Sequence, residues 1–159
     1  MQRKWFYIIL GGGVGLPLLL LFGTRLASAM APVPDDVGLR DGQLAPCPEL
    51  AINCVGSQSD TEYAAIAPLT FTGDPAAARE QLQSLMAAWP RTTLLTADDT
   101  YLHYVVRSRV FAFPDDLEFQ MGAGVIHVRS AARIGVGDLG ANRARIEDIR
   151  AAWAQETGE

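Results

Sequence analysis

The sequence predicts an α+β fold: a mainly antiparallel sheet of four to five strands with two amphipathic helices on one face, preceded by an N-terminal transmembrane or signal helix. Three observations predict it. An uncharged apolar run lies near the N-terminus, two segments have helical periodicity, and short strand-like segments between them are joined by turn residues. Short connections between strands indicate antiparallel neighbours.

The N-terminal segment, residues 1–29, is predicted to be a membrane anchor. A basic flank precedes 18 uncharged residues from Trp5 to Phe22, which is about the minimum length that spans a bilayer. Basic residues before such a run favour a cytoplasmic N-terminus, so we expect Trp5 to Phe22 to contact the lipid bilayer and the following domain to lie on the periplasmic side. The alternative is a cleaved signal, because LASA at 26–29 has the small-residue spacing of a signal-peptidase site.

Charge is distributed unevenly along the chain. Residues 1–29 carry three basic side chains and no acidic one, whereas residues 30–159 carry ten basic and 18 acidic side chains. Binding of nucleic acid needs a basic face, so this acidic composition argues against nucleic acid as a partner.

Residues 30–62 are predicted to form an extended linker, because they are rich in Pro, Asp, Gly and Ser and show no periodicity. Both cysteines, Cys47 and Cys54, lie in it. Their spacing differs from the two-residue gap of thioredoxin-type motifs, and two thiols do not complete a metal site. In an exported segment we expect the pair to form a structural disulfide.

Residues 63–159 are predicted to form the folded domain in the order β-α-β-β-β-β-α. Asp74 and Pro75 are typical first residues of a helix, and Asn142 is expected to cap the last helix. Turn residues between the strands are expected at 98–100, 114–116 and 122–124. Apolar residues at helical spacing are Leu82, Leu85, Met86 and Trp89 in the first helix and Ile146, Ile149 and Trp153 in the second.

Three segments resemble a known family. They are CPELAINCVGSQ at 47–58, YLHYVVRSRVFAFPDDLEF at 101–119 and VRSAARIGVGDLGANRARIEDIR at 128–150. In this order they are similar to the bacterial and plastid family catalogued as domain of unknown function 1499. Gly56 replaces a serine that is usual there, and we expect it to relax a turn. The resemblance implies a compact exported or membrane-linked domain, and it implies no reaction.

Catalytic side chains have no spacing that indicates a known reaction. His103 and His127 fall in predicted strands without an acid–base partner nearby in sequence, and a disulfide would remove both thiols as nucleophiles. The segment GVGDLG at 135–140 lacks the context of a phosphate-binding loop. We therefore predict no catalytic residue and no cofactor, and the enzyme question stays open with a non-enzyme favoured.

The arginine-rich segment near the C-terminus has two interpretations. In the favoured one, arginines pair with carboxylates in a structural network that includes Asp115, Asp116 and Glu118. These acids lack the spacing of a calcium loop, so no metal is predicted. In the other interpretation, a helix N-terminus binds an anion. The candidate residues for that anion site are Arg129, Arg133, Asp138, Asn142 and Arg143.

The leading hypothesis for function is a membrane-anchored, non-enzymatic accessory or interaction domain, a subunit or assembly partner of a membrane complex. The alternative is a protein that binds a small anionic ligand or a lipid headgroup. A hydrolase that uses the carboxylates of residues 115–118 is the third hypothesis.

Overall fold

The computed structural model describes the backbone of residues 2–158 and the side chains of residues 15–158. Within these residues, three helices and eight strands follow one another along the chain. They are α1 (Gln2–Ala29), β1 (Leu39–Arg40), β2 (Gln43–Leu44), β3 (Cys54–Gly56), β4 (Leu69–Thr70), α2 (Pro75–Ala87), β5 (Thr92–Ala97), β6 (Tyr101–Arg107), β7 (Pro114–Met121), β8 (Val125–Ala132) and α3 (Ala141–Thr157).

Six of the strands form one antiparallel sheet. Its order is β3–β8–β7–β6–β5, and β4 pairs with β8 beside β3. The α+β class and the antiparallel sheet are confirmed. The strand number differs from the predicted four to five because β3 lies inside the segment 30–62, which was predicted to be a linker. A strand of three residues is too short to show a periodicity.

The connection between β6 and β7 differs from the prediction. The turn lies at 108–113, where the backbone N–H of Ser108 bonds the carbonyl oxygen of Phe113 at 2.9 Å. The predicted turn at 114–116 is wrong, because these residues begin β7. Pro114 is the first residue of that strand, a position that does not require its missing N–H. The two acids that follow it are buried with arginine partners, so their charge does not mark a solvated turn.

One face of the sheet packs against α2 and α3. Asp74 caps α2 as predicted, since its carboxylate accepts a hydrogen bond from the N–H of Ala76 at 3.3 Å, and Pro75 begins the helix. Leucine, isoleucine and aromatic side chains from both helices enter the core together with alternate side chains of the three central strands. The central members are Leu82, Met86, Leu102, Leu117, Phe119, Ile126, Val128, Ile146, Ile149 and Trp153.

The start of α3 is capped by Asp138. Its carboxylate accepts hydrogen bonds from the N–H groups of Gly140 at 3.0 Å and Asn142 at 2.8 Å, and Gly140 adopts a left-handed conformation with φ of 80°. The prediction that Asn142 caps this helix is wrong. Asn142 lies inside α3 and is buried, and a carboxylate four residues earlier reaches the N–H groups that a helix leaves unpaired.

The segment before β3 covers the other face of the sheet. We call residues 31–48 the strap. The hairpin of β1 and β2 lies within it, and β2 contacts β7 and β8. Cys47 at its end forms a disulfide with Cys54 of β3, with a Cα–Cα distance of 5.7 Å, which confirms the predicted pairing. Part of the predicted linker is therefore a folded cover that is cross-linked to the sheet.

Helix α1 precedes the strap. Its apolar side chains Leu18, Leu20, Phe22 and Leu26 are exposed. In the portion of the chain that the structure describes, no helix reaches the combination of length and apolarity needed to cross a membrane. The side chains of residues 5–14, which belong to the predicted anchor, lie outside the described part.

Candidate functional site

The face of the sheet opposite the helices carries polar side chains. Because successive residues of a strand point to opposite faces, the residues between the core positions all lie on this face. Five polar residues among them are no more than 5 % exposed, and the strap bonds two of these, Glu118 and Arg129. We call these five the buried polar face: Tyr101, His103, Asp116, Glu118 and Arg129.

Glu118 and Arg129 form the centre of the buried polar face. They stand opposite each other in the register of β7 and β8, and Nη1 of Arg129 donates to Oε2 of Glu118 at 2.7 Å. The other oxygen, Oε1, accepts the hydroxyl of Tyr101 at 2.6 Å and the N–H of Gly38 in the strap at 2.7 Å. Nη2 of Arg129 donates to the carboxylate of Asp36, also in the strap. This ion pair therefore attaches the strap to the sheet.

The tyrosine acts only as a hydrogen-bond donor. Burial raises the pKa of Tyr101 far above its usual value, and the hydrogen bond to Glu118 raises it further. Its hydroxyl therefore stays protonated and stabilises the buried carboxylate rather than taking up protons from a substrate.

Asp116 forms a second centre on the same face. Nε and Nη2 of Arg133 donate to its two oxygens at 2.9 and 2.6 Å, a bidentate pair, and Nε2 of His103 lies 2.7 Å from Oδ1. Burial alone would raise the pKa of Asp116. The hydrogen bonds from His103 and Arg133 outweigh burial, so the pKa lies below its usual value and the carboxylate stays charged.

Asp115, the preceding residue of β7, lies on the opposite face of the sheet, towards the helices. Its carboxylate pairs with Arg145 of α3, whose Nη1 also donates to Oγ of Ser130 at 2.8 Å and to Oδ1 of Asn142. Burial raises the pKa of Asp115, and Arg145 opposes that rise. Asp115 and Asp116 thus belong to different clusters. Among the described residues, no group of three or more His, Cys, Asp or Glu side chains is placed to hold a metal ion.

The predicted anion-binding residues fall into two separate groups. Arg129 and Arg133 lie under the strap, where carboxylates already bind them. Asp138, Asn142 and Arg143 lie at the start of α3. There Nη2 of Arg143 donates to the carbonyl oxygens of residues 63 and 65 at 2.6 and 2.9 Å, and Asp138 occupies the helix N–H groups. A carboxylate of the chain itself therefore stands where an external anion was predicted.

The chain matches, over residues 43–153, the family described as protein of unknown function (DUF1499). The chain belongs to this family. The matched range begins at β2 and ends in α3, so it contains the six-stranded sheet, α2, most of α3 and the disulfide. This confirms the resemblance found in the sequence. No curated protein matches the chain.

Gly56 of the DUF1499 domain lies in a strand, so the expectation that it relaxes a turn is wrong. It pairs with Arg129 across β3 and β8. A β-carbon on Gly56 would lie 2.9 Å from Oγ of Ser59, and that hydroxyl accepts a hydrogen bond from the N–H of Cys47 at 2.9 Å. The glycine therefore leaves room for the hydroxyl that holds the strap beside the disulfide.

A small cavity lies between the strap and the buried polar face of the DUF1499 domain. Its volume is about 160 Å³, and its charged lining residues are Asp36, Asp116, Arg129 and Arg133. Within the described part of the chain, Nε of Arg129 is buried and has no hydrogen-bond partner. A buried donor without an acceptor is destabilising, so this atom is the group of the network that a small ligand oxygen could satisfy.

Sequence patterns missed several members of the network. Tyr101 and His103 were not predicted as partners of acids, and neither Asp36 nor Gly38 was predicted to touch the sheet. A signal existed for Glu118 and Arg129. The turn at 122–124 places residue 121 opposite residue 126. Counting three residues away from the turn on each strand therefore places residue 118 opposite residue 129. The two strap contacts span 80 and 93 residues of sequence and leave no such signal.

Proposed function

We propose that this DUF1499 protein is a membrane-anchored, non-enzymatic accessory domain on the extracytoplasmic side, a subunit or assembly partner of a membrane complex. One observation carries the proposal: the charged side chains of the family segments bind the strap. Asp36 and Gly38 of the strap contact Arg129 and Glu118. These charges join the domain to the chain that leaves α1, and the small cavity that they line lies under the strap.

Two contacts join the domain to the end of α1. Nε and Nη2 of Arg25 donate to the carbonyl oxygens of Val110 and Arg109 at 2.9 and 3.3 Å, and Nη1 of Arg133 donates to the carbonyl oxygen of Ala31 at 3.2 Å. A domain held in this way stays at a fixed height above an anchor. That geometry suits a subunit that meets its partner at the membrane surface.

The anchor itself is supported by the sequence and by α1. The run from Trp5 to Phe22 is uncharged and follows a basic flank, and α1 continues through Ala29. The exposed apolar side chains between Leu16 and Leu26 are not covered by any other part of the described chain. A lipid environment would remove these side chains from water.

Strand β5 is the best candidate surface for a protein partner. It is the last strand of the sheet, and within residues 2–158 it pairs with β6 alone. Leu94 and Leu95 on it are 44 % and 46 % exposed. An edge strand with open backbone groups and exposed apolar side chains can pair with a strand of another protein.

Copurification of the full chain from gently solubilised membranes tests the proposal. The variants are Leu95→Lys on β5 and, as a matched control, Ala123→Lys in the exposed turn between β7 and β8. We expect membrane proteins to copurify in a fixed ratio with the wild type and the control, and to be lost with Leu95→Lys. A wild-type chain that retains no protein in a fixed ratio contradicts the accessory function. Partners retained by all variants place the contact away from β5.

The second candidate function is binding of a small anionic ligand or lipid headgroup. It is favoured by the unpartnered Nε of Arg129 beside the cavity under the strap. In this case phosphate or glycerol phosphate raises the melting temperature of the wild type beyond the effect of chloride at equal ionic strength. Arg129→Lys, which lacks this nitrogen, removes the increase. An unchanged melting temperature excludes this function.

A further inference from the structure

The end of the sheet at which α1 joins the domain has a distinctive surface. The β6–β7 connection, residues 108–113, and the β8–α3 connection, residues 133–140, lie at the same end because β7 runs antiparallel to both neighbours. Arg25 contacts the first and Ala31 contacts the second. We call these two connections the anchor-side end. The turns at 98–100 and 122–124 lie at the opposite end.

Large apolar side chains are exposed at the anchor-side end. Val110 and Phe111 are 54 % and 43 % exposed, Val136 is 88 % exposed, and Leu139 is fully exposed. The turns at the opposite end contain only Asp, Thr, Gly and Ala. Apolar side chains gathered on one end of a domain indicate a surface that contacts a membrane or a protein.

The loop at 108–113 holds its apolar tip in a fixed conformation. The N–H of Ser108 bonds the carbonyl of Phe113, the N–H of Phe113 returns to Oγ of Ser108, and both distances are 2.9 Å. Nη1 of Arg107 donates to the carbonyl oxygen of Ala112 at 3.3 Å, and the rings of Phe111 and Phe113 stack at 5.3 Å. Because the loop is already ordered, binding to a membrane or a protein costs it little conformational entropy.

Unpaired positive charge surrounds this loop. In the part of the chain with described side chains, seven arginines make no ion pair with a carboxylate, and four of these seven lie at or beside this loop. Three of them bind backbone carbonyls of the loop or of its flanking strand, and the fourth is exposed. The four are Arg25, Arg91, Arg107 and Arg109. Such a rim complements the phosphates of anionic lipids.

The position of Arg25 on α1 sets the height of the loop. Arg25 follows Phe22, the last residue of the uncharged run, by three residues, which is about 4.5 Å along a helix axis. The headgroup layer on each side of a bilayer is about 5–8 Å thick. When the run occupies the hydrocarbon core, Arg25 and the loop carbonyls that it binds lie within the headgroup layer.

We propose that the anchor-side end is a second membrane contact: Val110 and Phe111 enter the extracytoplasmic surface of the bilayer that holds α1, and the four arginines bind the phosphates of anionic lipids. The proposal rests on the membrane anchor of the proposed function. It adds a lipid-facing surface to the domain itself, distinct from the β5 edge.

Lipid quenching of single labels tests the contact. The full chain is reconstituted into phosphatidylcholine vesicles with or without phosphatidylglycerol, and a fluorophore is placed at Val110→Cys, at Leu20→Cys in α1 or at Ala123→Cys at the opposite end. The native cysteines are disulfide-bonded and stay unlabelled. Nitroxide lipids with a headgroup-level label are expected to quench residues 20 and 110 but not residue 123.

The three labels separate the two ways in which the proposal can fail. Quenching at residue 20 without quenching at residue 110 overturns the second contact and leaves the anchor standing. A loop that contacts a protein instead of lipid would give this result. No quenching at either position contradicts the anchor as well. Equal quenching at residues 110 and 123 also overturns the proposal, because it shows no preferred orientation.

The arginine rim has its own test. Arg109→Gln is expected to reduce the increase in quenching at residue 110 that phosphatidylglycerol produces. Arg79→Gln is the matched control, because Arg79 bonds the carbonyl of Asp98 at the opposite end of the sheet. An increase that is the same in both variants overturns the assignment of the arginines to lipid phosphates.

Discussion

Glu118 and Arg129 show how the charged residues of this domain act. A buried ion pair is stable only when hydrogen bonds satisfy its remaining polar atoms. Glu118 meets that condition, because Arg129, Tyr101 and the backbone of Gly38 all donate to its carboxylate. Arg129 meets it only in part, since its Nε has no partner among the described residues. At the scale of single residues, the network stabilises the fold.

Loss of Arg129 should therefore be costly. Arg129→Ala is expected to lower the free energy of unfolding by about 3 kcal/mol, because the carboxylate of Glu118 remains buried without its cation. Combining Arg129→Ala with Glu118→Gln should recover part of the loss, and urea unfolding of the double-mutant cycle measures the coupling. Arg109→Ala, at an exposed residue without an ion pair, is the control and should change stability by less than about 0.5 kcal/mol. Equal losses at both arginines would contradict the network.

Asp116 should make stability depend on acid pH. Its pKa in the folded state lies below the usual 3.8, so its charge contributes stability above the unfolded pKa, and this contribution is lost as pH falls through the folded pKa. The stability difference between wild type and Asp116→Asn should thus shrink below about pH 4. Asp115 has a raised pKa and acts in the opposite sense, but it is common to both proteins. Urea midpoints at a series of pH values provide the measurement, and a difference that does not vary with pH would refute the prediction.

At the scale of elements, the strap and the sheet are held together by the disulfide. Replacing both Cys47 and Cys54 by serine is expected to lower the free energy of unfolding by about 2.5 kcal/mol. This value is the free-energy equivalent of the entropy lost when the unfolded chain closes a loop of about eight residues. Circular dichroism should still show a folded domain, because the core between sheet and helices does not include the disulfide. Reduction of the wild type serves as the control and should give the same loss. Two free thiols in the native exported protein would contradict the pairing.

The long elements could be predicted from the sequence because each has its own local signal. Asp74 and Pro75 define the start of α2, and the alternation along Tyr101–Arg107 defines β6. Strands β1 to β3 have two or three residues each, too few for a pattern, so the cover and the β3 part of the sheet edge could not be predicted. Strand β4 corresponds to the strand that was predicted before the first helix. The start of α3 was misjudged because Asn142 and Asp138 are both good capping residues, and only the loop geometry selects Asp138.

The candidate site was predictable in its residue types but not in its arrangement. Pairing of Asp115, Asp116 and Glu118 with arginines was an expectation from composition, and the structure places Arg145, Arg133 and Arg129 beside them in that order. Which arginine meets which acid depends on strand register and on the two faces of β7. The sequence pattern leaves open whether the second face is solvated, because the strap that buries it carries no periodicity.

At the scale of the whole molecule, the strap, the anchor-side end and α1 meet at one end of the sheet. Arg25 and Arg133 join α1 and the strap to the loops of that end, where exposed apolar side chains and four of the unpaired arginines also lie. In the proposed function, this arrangement turns one end of the domain towards lipid and leaves the β5 edge free at the side.

Alkaline carbonate extraction of membranes, followed by the intact mass of the chain, tests the central claim of a retained membrane anchor. An apolar helix in the bilayer resists extraction, whereas a domain that is bound only at the surface is released. We predict the full-length chain, with residues 1–29 attached, in the membrane pellet. A mature chain that begins at Met30 in the soluble exported fraction would contradict this prediction, since it would place the cleavage after Ala29 and leave the domain without its anchor.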